Sequence, residues 1–502
     1  MRANGARPAT LGWKDLTLIG VAASFWPLSV IADNVASVTH IERPLTLIVL
    51  VWALAVGVAW VVIRMGAPRL PTVHTVFIAV VILTVGGRLV RNLGALPGLL
   101  VLLALLVLAA FVFGRMEETP AARASIIGLA FALAAGPIIG LADSLGNYGT
   151  NSVVRTDISP VDLVHSPDIF LVVLDGYPGL QALRQDSVGD PKALVSNLRS
   201  EGFQIPNSAW TAYWSTRLSV PSLLDMGYPV VEDPGGGATT SALSSIVGGN
   251  SALLATMRSN QYRTTMIESG WSGGVCGSIY DRCVASHWFD ETVALILNDA
   301  VVGPWLIRHF GSPFTTSTEN TMSWLLENAA DLSASPQPDF VFAHLIAPHP
   351  PFYLNSSCDR VISKNRSGGV FNVPGVTRSE RYGYFVEQLE CVNDFMLRLA
   401  AAVEPDDVIV FVGDHGMDSR YQLWRDTDEW GADGVTERMN VMLAVRTGNG
   451  CVIADQIMVP NVMRQVLACH SELPPPNLEA RMWGSAMVEL IVTEVLSSEL
   501  TG

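Results

Sequence analysis

The stretch DDVIVFVGDHGMDSR, residues 406–420, sets a carboxylate and an imidazole side by side at the end of an apolar run. The run 408–412 is rich in β-branched residues and too short for a helix, so it predicts a strand. A strand apolar throughout belongs inside a parallel sheet covered on both faces, and ligands bind such sheets beyond the carboxyl ends of the strands. Asp414 and His415 stand at that edge. A carboxylate oxygen with an imidazole nitrogen suits a divalent ion such as zinc or manganese. A second apolar strand, 168–174, ends in Asp175-Gly176 and sets another carboxylate at the same edge. A third, 339–346, carries His344 within its apolar run and leads to His349 between Pro348 and Pro350. His349 is expected in the cleft, and His344 as a satisfied core histidine. In WSTRLSVPSLL, residues 214–224, Pro221 is tolerated only in the first turn of a helix, which predicts a cap near Ser219. Ser219 then has a structural explanation. Thr216 has none, and its hydroxyl lies near the positive end of a helix, where an oxyanion is stabilised.

The elements that must position these groups follow from hydrophobic periodicity. Helices are expected at 192–201, 251–260, 320–332, 379–402 and 455–468, and further strands at 263–267 and 440–445. The segment GGGATTSALSS around Gly235 reads as a loop. Strands alternating with helices predict a doubly wound α/β sheet.

The first 150 residues are of another kind. Five apolar runs, 16–32, 45–63, 73–90, 96–113 and 124–141, each have about the length that crosses a bilayer. With the N-terminus inside, Arg2, Arg7, Lys14, Arg64, Arg69, Arg115 and Arg123 fall on the cytoplasmic side and Arg43, Arg88 and Arg91 outside, as the positive-inside rule requires. Five crossings then put the remainder outside. The expected organisation is a transmembrane bundle of five helices over 1–142, a polar linker over 143–166 and an extracytoplasmic domain over 167–502. All six cysteines lie in that last part, an even number suited to disulfides in an oxidising compartment. Cys276–Cys283 is the expected pair because its loop is short. Ten of the 31 Lys/Arg and six of the 46 Asp/Glu lie within residues 1–150, leaving 21 basic and 40 acidic residues beyond. That acidity argues against nucleic acid as a partner. The apolar runs carry almost no ionisable residues of the kind transport needs.

Taken in order, LDG, T-x-x-S-x-P, P-H-x-P and a strand ending in GDHG resemble the alkaline-phosphatase/sulfatase superfamily. With five membrane spans ahead of an external domain, the chain is most similar to the membrane phosphoethanolamine transferases and lipoteichoic-acid synthases. The resemblance implies a sulfatase-like α/β domain at the cell membrane, with Thr216 as nucleophile. It implies Asp175, Thr216, Asp414 and His415 around a divalent metal, and His349 near the transferred phosphate. There are departures. Those transferases have Glu where Asp175 stands, and their further histidine after the DHG motif has no counterpart, so a second metal site is not implied. In the sulfatase register S-x-P-S-R, Ser219 becomes the alternative nucleophile, but Leu223 occupies the Arg position.

The expected activity is metal-dependent transfer of a phospholipid head group, phosphoethanolamine or glycerophosphate, to an envelope lipid or glycan through a phospho-threonine. The alternatives are a sulfatase or phosphodiesterase-type hydrolase of the same fold, and a membrane scaffold without activity.

Overall fold

The computed structural model describes residues 10–33, 38, 40–87, 90, 93, 95–115, 120–146, 158–186, 191–229, 237–271, 274, 276–285, 290–303, 306, 313–361, 363, 366, 376–419, 429–484 and 493–495. The chain forms two compact units, one of Met1–Tyr148 with Trp288–Ser312, the other of Gly149–His287 with Pro313–Gly502. In chain order the helices are α1 (Trp13–Asp33), α2 (Glu42–Arg64), α3 (Arg69–Val85), α4 (Ala95–Arg115) and α5 (Pro120–Gly146). Then come β1 (Ile169–Leu174), α6 (Leu180–Gln185), α7 (Lys192–Ser200), β2 (Ser208–Trp210), α8 (Thr216–Leu224), α9 (Gly237–Val247), α10 (Ala252–Ser259), β3 (Arg263–Ile267) and β4 (Arg282–Val284). They are followed by α11 (Glu291–Asn298), α12 (Pro313–Ser333), β5 (Asp339–Leu345), α13 (Arg378–Ala402) and β6 (Val408–Gly413). The last are α14 (Gly431–Met439), β7 (Leu443–Arg446), β8 (Gln456–Met458), α15 (Val459–Ala468), β9 (Met482–Gly484) and β10 (Thr493–Val495).

In the first unit, α1, α2, α3 and α5 meet through Ile19, Ala22, Ala23, Ala55, Ala59, Val73, Phe77, Val80 and Ala130. Small residues at such contacts let backbones approach closely, as membrane helices do. Large apolar residues face outward instead, Leu54 with 71% of its surface exposed. Among the described residues, three helices, over Trp13–Ala32, Glu42–Arg64 and Ala124–Ala142, are long and apolar enough to cross a membrane. The apolar parts of α3 and α4, Arg69–Val85 and Leu96–Val112, are shorter than the expected spans. Most of the expected linker lies outside the described residues, and α5 continues past the end of its apolar run to Gly146.

The second unit is built on a six-stranded sheet of order β4-β3-β5-β1-β6-β7, parallel except for β7 against β6. β5, β1, β6 and β7 are buried throughout, whereas the edge strand β4 is largely exposed. Ile169, Leu171 and Val173 of β1 pack into one core, with residues of α8, α10 and α15. Phe170, Val172 and Leu174 pack into the other, with residues of α7, α12 and α13. This period of two, with helices over both faces, is the expected doubly wound architecture. Some boundaries differ from the expected ones. Residues 237–247 are helical rather than loop, β7 starts at Leu443, and β8 precedes α15 where one long helix was expected. α8 begins at Thr216 with Ser215 as its N-cap residue, so Ser219 is inside the helix and Pro221 lies deeper than its first turn.

The six cysteines form Cys276–Cys283, Cys358–Cys391 and Cys451–Cys469, with none free. The expected short pair is among them. Cys358–Cys391 closes the longest of the three loops, tying the segment after β5 to α13. In the chain-entropy account, replacing both residues by serine costs about 2–5 kcal/mol. The expected outcome is a thermal midpoint lowered by several degrees in the purified full-length protein. An unchanged midpoint would show that the crosslink constrains little.

Candidate metal and nucleophile site

Three adjacent strands end together. The β1–β6 register pairs Leu174 with Gly413, and the β1–β5 register pairs Val173 with His344. Asp175, His344, His349, Asp414 and His415 therefore gather at one carboxyl edge, although the three strands, Ile169–Leu174, Asp339–Leu345 and Val408–Gly413, lie far apart in the chain. Glycine makes the turn possible. Gly176 has a φ of 71°, which side chains rarely adopt, and its N–H donates to Asp414 Oδ1 at 3.0 Å.

Asp175, Asp414, His415 and His344 are all buried, and His349 and Thr216 are partly so. His415 Nε2 lies 3.4 Å from Asp175 Oδ1 and 3.5 Å from Asp414 Oδ2. His344 Nε2 lies 3.3 Å from Asp175 Oδ2. The Thr216 hydroxyl is 3.1 Å from His415 Nε2. Two groups of potential ligands share one carboxylate. Asp175, His349 and His415 form one, and Asp175, His344 and Asp414 the other, with each group's ligand atoms within 4.8 Å of one another. The structure thus corrects the expectation for His344, which is buried but not satisfied. Its Nδ1 faces Ser269 Oγ at 3.2 Å, while Nε2 has no hydrogen-bond partner. Nothing in its position within an apolar run distinguished it from a core histidine.

The imidazoles are held in defined tautomers. A carbonyl only accepts, so His415 Nδ1 donates to Gly416 O at 3.0 Å and His349 Nδ1 to Pro350 O at 2.6 Å. When neutral, both rings then offer the Nε2 lone pair, the state a ligating histidine needs. Burial, followed by the nearby Arg438 charge, pushes the His415 imidazole well below its ordinary pKa and keeps it neutral. Burial also works against charge on Asp175, but His349 and the contact with His344 outweigh it and hold that carboxyl well below the usual range. Burial and the Asp175 charge push the Asp414 carboxyl up instead. Two carboxylates in one dry pocket repel each other unless a cation stands with them. Asp175 Oδ1, Asp414 Oδ2 and His344 Nε2 are buried without hydrogen-bond partners, the arrangement a divalent ion completes. The donor set of carboxylates and imidazoles fits such an ion.

Thr216 is the first residue of α8, so its hydroxyl sits at the helix N-terminus. Ser219 is differently placed. It is 1% exposed, donates to Tyr213 O at 2.7 Å and accepts from Thr211 Oγ1 at 3.0 Å. Its hydroxyl is enclosed and occupied, which corrects its standing as a cap and leaves it a poor alternative nucleophile.

Arg438, on α14, did not stand out in the sequence, lying in no motif. It is 6% exposed, donating from Nε to Trp214 O at 2.7 Å and from Nη1 to Gly416 O at 2.8 Å. Gly416 O also receives the His415 Nδ1 proton. One buried guanidinium therefore joins the turn that enters α8 to the turn that follows His415. Gly416 has no room for a Cβ, which would collide with Glu437 O.

The family model described as Sulfatase matches residues 167–439 of the chain. No curated protein sequence matches it. Among solved structures, the integral membrane lipooligosaccharide phosphoethanolamine transferase A from Neisseria meningitidis is similar, with 14% identity and a TM-score of 0.40. That alignment covers 90% of this chain and 95% of the other. The C-terminal periplasmic domain of EcEptC from Escherichia coli is similar at 12% identity and a TM-score of 0.40, over 67% of this chain and 96% of that one. An alkaline phosphatase superfamily protein from Vibrio parahaemolyticus is similar at 11% identity and a TM-score of 0.41, over 67% and 79%.

Two outcomes are expected at this site. The purified protein retains a divalent metal through gel filtration, and a variant carrying both Asp414→Ala and His415→Ala loses it while keeping its circular dichroism spectrum. Equal metal content in the two proteins counts against the site. Arg438→Lys keeps the charge but cannot hold both carbonyls at once, and weakens metal affinity by about 10–100-fold, the usual cost of losing a group that orients a ligand. Titration of the apo-protein with metal measures this, and unchanged affinity would remove Arg438 from the positioning role.

Proposed function

The chain belongs to the sulfatase family, and on that premise we propose a membrane-anchored transferase that moves a phospholipid head group through a phospho-threonine. The observation that carries the reading is the Thr216 hydroxyl, 3.1 Å from His415 Nε2 at a helix N-terminus, beside two buried carboxylates. Sulfatase-family membership implies an enzyme. The transfer chemistry, the donor and the acceptor are inferred from this site and from the N-terminal helices.

Asp175, Asp414 and His415, with Thr216, would hold a divalent ion, zinc or manganese, which when bound supplies positive charge that makes a hydroxyl acidic and offsets charge on phosphoryl oxygens. Thr216 Oγ1 then attacks the phosphorus of a phosphatidylethanolamine- or phosphatidylglycerol-type donor. The Thr216 O–P bond forms as the bond to diacylglycerol oxygen breaks, and the leaving oxygen takes a proton. In the second half, an acceptor hydroxyl on an envelope lipid or glycan attacks the same phosphorus and Thr216 leaves. The positive end of the α8 dipole would face developing negative charge on the phosphoryl oxygens. His349, its Nδ1 committed to Pro350 O, has Nε2 to bind the phosphate or to carry a proton between leaving and attacking oxygens.

A five-helix bundle over 1–142 and a linker over 143–166 would keep the external domain, 167–502, at the cell membrane that supplies the donor. The runner-up is hydrolysis by the same machinery, with water as acceptor. The sulfatase form of that reading is weakened by Leu223 at the arginine position and by the enclosed Ser219 hydroxyl.

The test is intact-mass analysis after incubation with head-group-labelled phospholipid. The wild type is expected to carry one head-group phosphate on Thr216, and Thr216→Ala to carry none, with turnover reduced by about 10³-fold or more. Ser219→Ala, if folded, retains the adduct. Label appearing solely as free phosphate ester, even with acceptor lipid supplied, would favour the hydrolase.

A further inference from the structure

Residues 288–312 lie within the sulfatase match at 167–439, yet they belong to the compact unit of the N-terminal helices. The chain leaves the other unit at His287 and re-enters it at Pro313. The described part of this excursion is firmly attached. Asp290 caps α11 through Val293 N at 2.9 Å and pairs with Arg43 at 3.0 Å, both side chains being at least nine-tenths buried. Gly87 N donates to Asp299 O at 2.9 Å and Val301 N to Leu83 O at 2.8 Å. Gly87 could carry no side chain there, because a Cβ would strike the Asp299 and Ala300 carbonyls. Val293 and Leu297 pack with Leu47 and Leu306.

These contacts fix a depth. Arg43 and Leu47 are at the start of α2, and Leu83 and Gly87 at the end of α3. A short turn joins the other ends of these two helices, so both contact points lie at the same end, the outer one when the N-terminus is inside. Leu47 is five residues into α2, about 7 Å along its axis. With the start of α2 at the bilayer surface, that is the depth at which interfacial helices bury their apolar side. Residues 290–303 contain no lysine or arginine, and Leu295 and Val302 are 41% and 55% exposed. At the same end of α2, Leu45, Val49 and Leu50 are exposed by 45%, 57% and 57%. The two sets of exposed apolar residues share one level.

We infer that residues 290–303 are immersed in the outer interfacial layer of the bilayer, where Leu295 and Val302 contact the acyl chains of phospholipids. The sulfatase-like domain thus lends part of its own sequence to the membrane-embedded surface. A soluble domain on a simple anchor would have no need of this apolar exposure, and Arg43–Asp290 would be a costly buried pair without a fixed segment to hold. The inference rests on the reading of the N-terminal helices as membrane spans.

Because no cysteine is free, an introduced one is the single reactive thiol. Nitroxide labels are attached to Leu295→Cys and Val302→Cys in the full-length protein reconstituted into phosphatidylcholine vesicles. Leu54→Cys and Leu473→Cys, 71% and 86% exposed, serve as bilayer and water references. Collision with oxygen and with a water-soluble nickel complex is then measured. The labels at 295 and 302 are expected to show an oxygen-to-nickel ratio severalfold above that at 473, approaching that at 54. A ratio equal to that at 473, or low collision with both reagents, overturns the inference while 54 still reports lipid. A water-like ratio at 54 would overturn the membrane reading itself, and the inference with it.

Discussion

Two buried carboxylates that cannot comfortably carry charge together are the constraint on which the second unit turns. Asp175 and Asp414 follow neighbouring strands, both approach His415 Nε2, and each keeps an oxygen without a hydrogen-bond partner. Their environments drive them apart, one held ionised beside His349 and His344 and the other pushed towards the neutral form. Such an arrangement costs free energy in an empty pocket and is relieved by a cation. The surroundings serve to keep the geometry from collapsing. Backbone N–H groups of Gly176 and His415 hold Asp414 Oδ1, and carbonyls fix the histidine tautomers.

The parallel sheet explains why five of these side chains can meet without being near in sequence. β5, β1 and β6 are adjacent and point the same way, so whatever follows them emerges at one edge. The nucleophile candidate arrives by a different route, on a helix whose first turn faces that edge. Arg438 links the two routes by gripping a carbonyl from each. The site is thus a junction of strand ends and a helix start, and rigidity in both is what lets a hydroxyl stay within reach of an imidazole.

Much of this was legible from the residues alone, for identifiable reasons. Strands buried on both faces read as unbroken apolar runs, and their ends mark the ligand edge, so Asp175, Asp414 and His415 could be found without coordinates. Thr216 stood out because no structural role accounted for it. His344 was hidden, since a histidine inside an apolar run looks the same whether its second nitrogen is satisfied or idle. Ser219 reads as a cap where Pro221 marks a first turn, whereas the N-cap of α8 is Ser215, and Pro221 lies in the second turn. Arg438 and the 290–303 segment act through long-range contacts, Trp214 with Arg438 and Arg43 with Asp290, that leave no local pattern. The stretch ETVALILNDAVV is apolar but too short to read as a span.

The bridge between Cys358 and Cys391 reaches further than stability. Cys391 sits on α13 one turn beyond Gln388, whose side-chain amide donates to the carbonyl of His349. Covalent closure and the placement of a site imidazole therefore share a helix. A chain with these two thiols reduced lacks the brace, so oxidation of one cysteine pair bears on where the His349 ring is held.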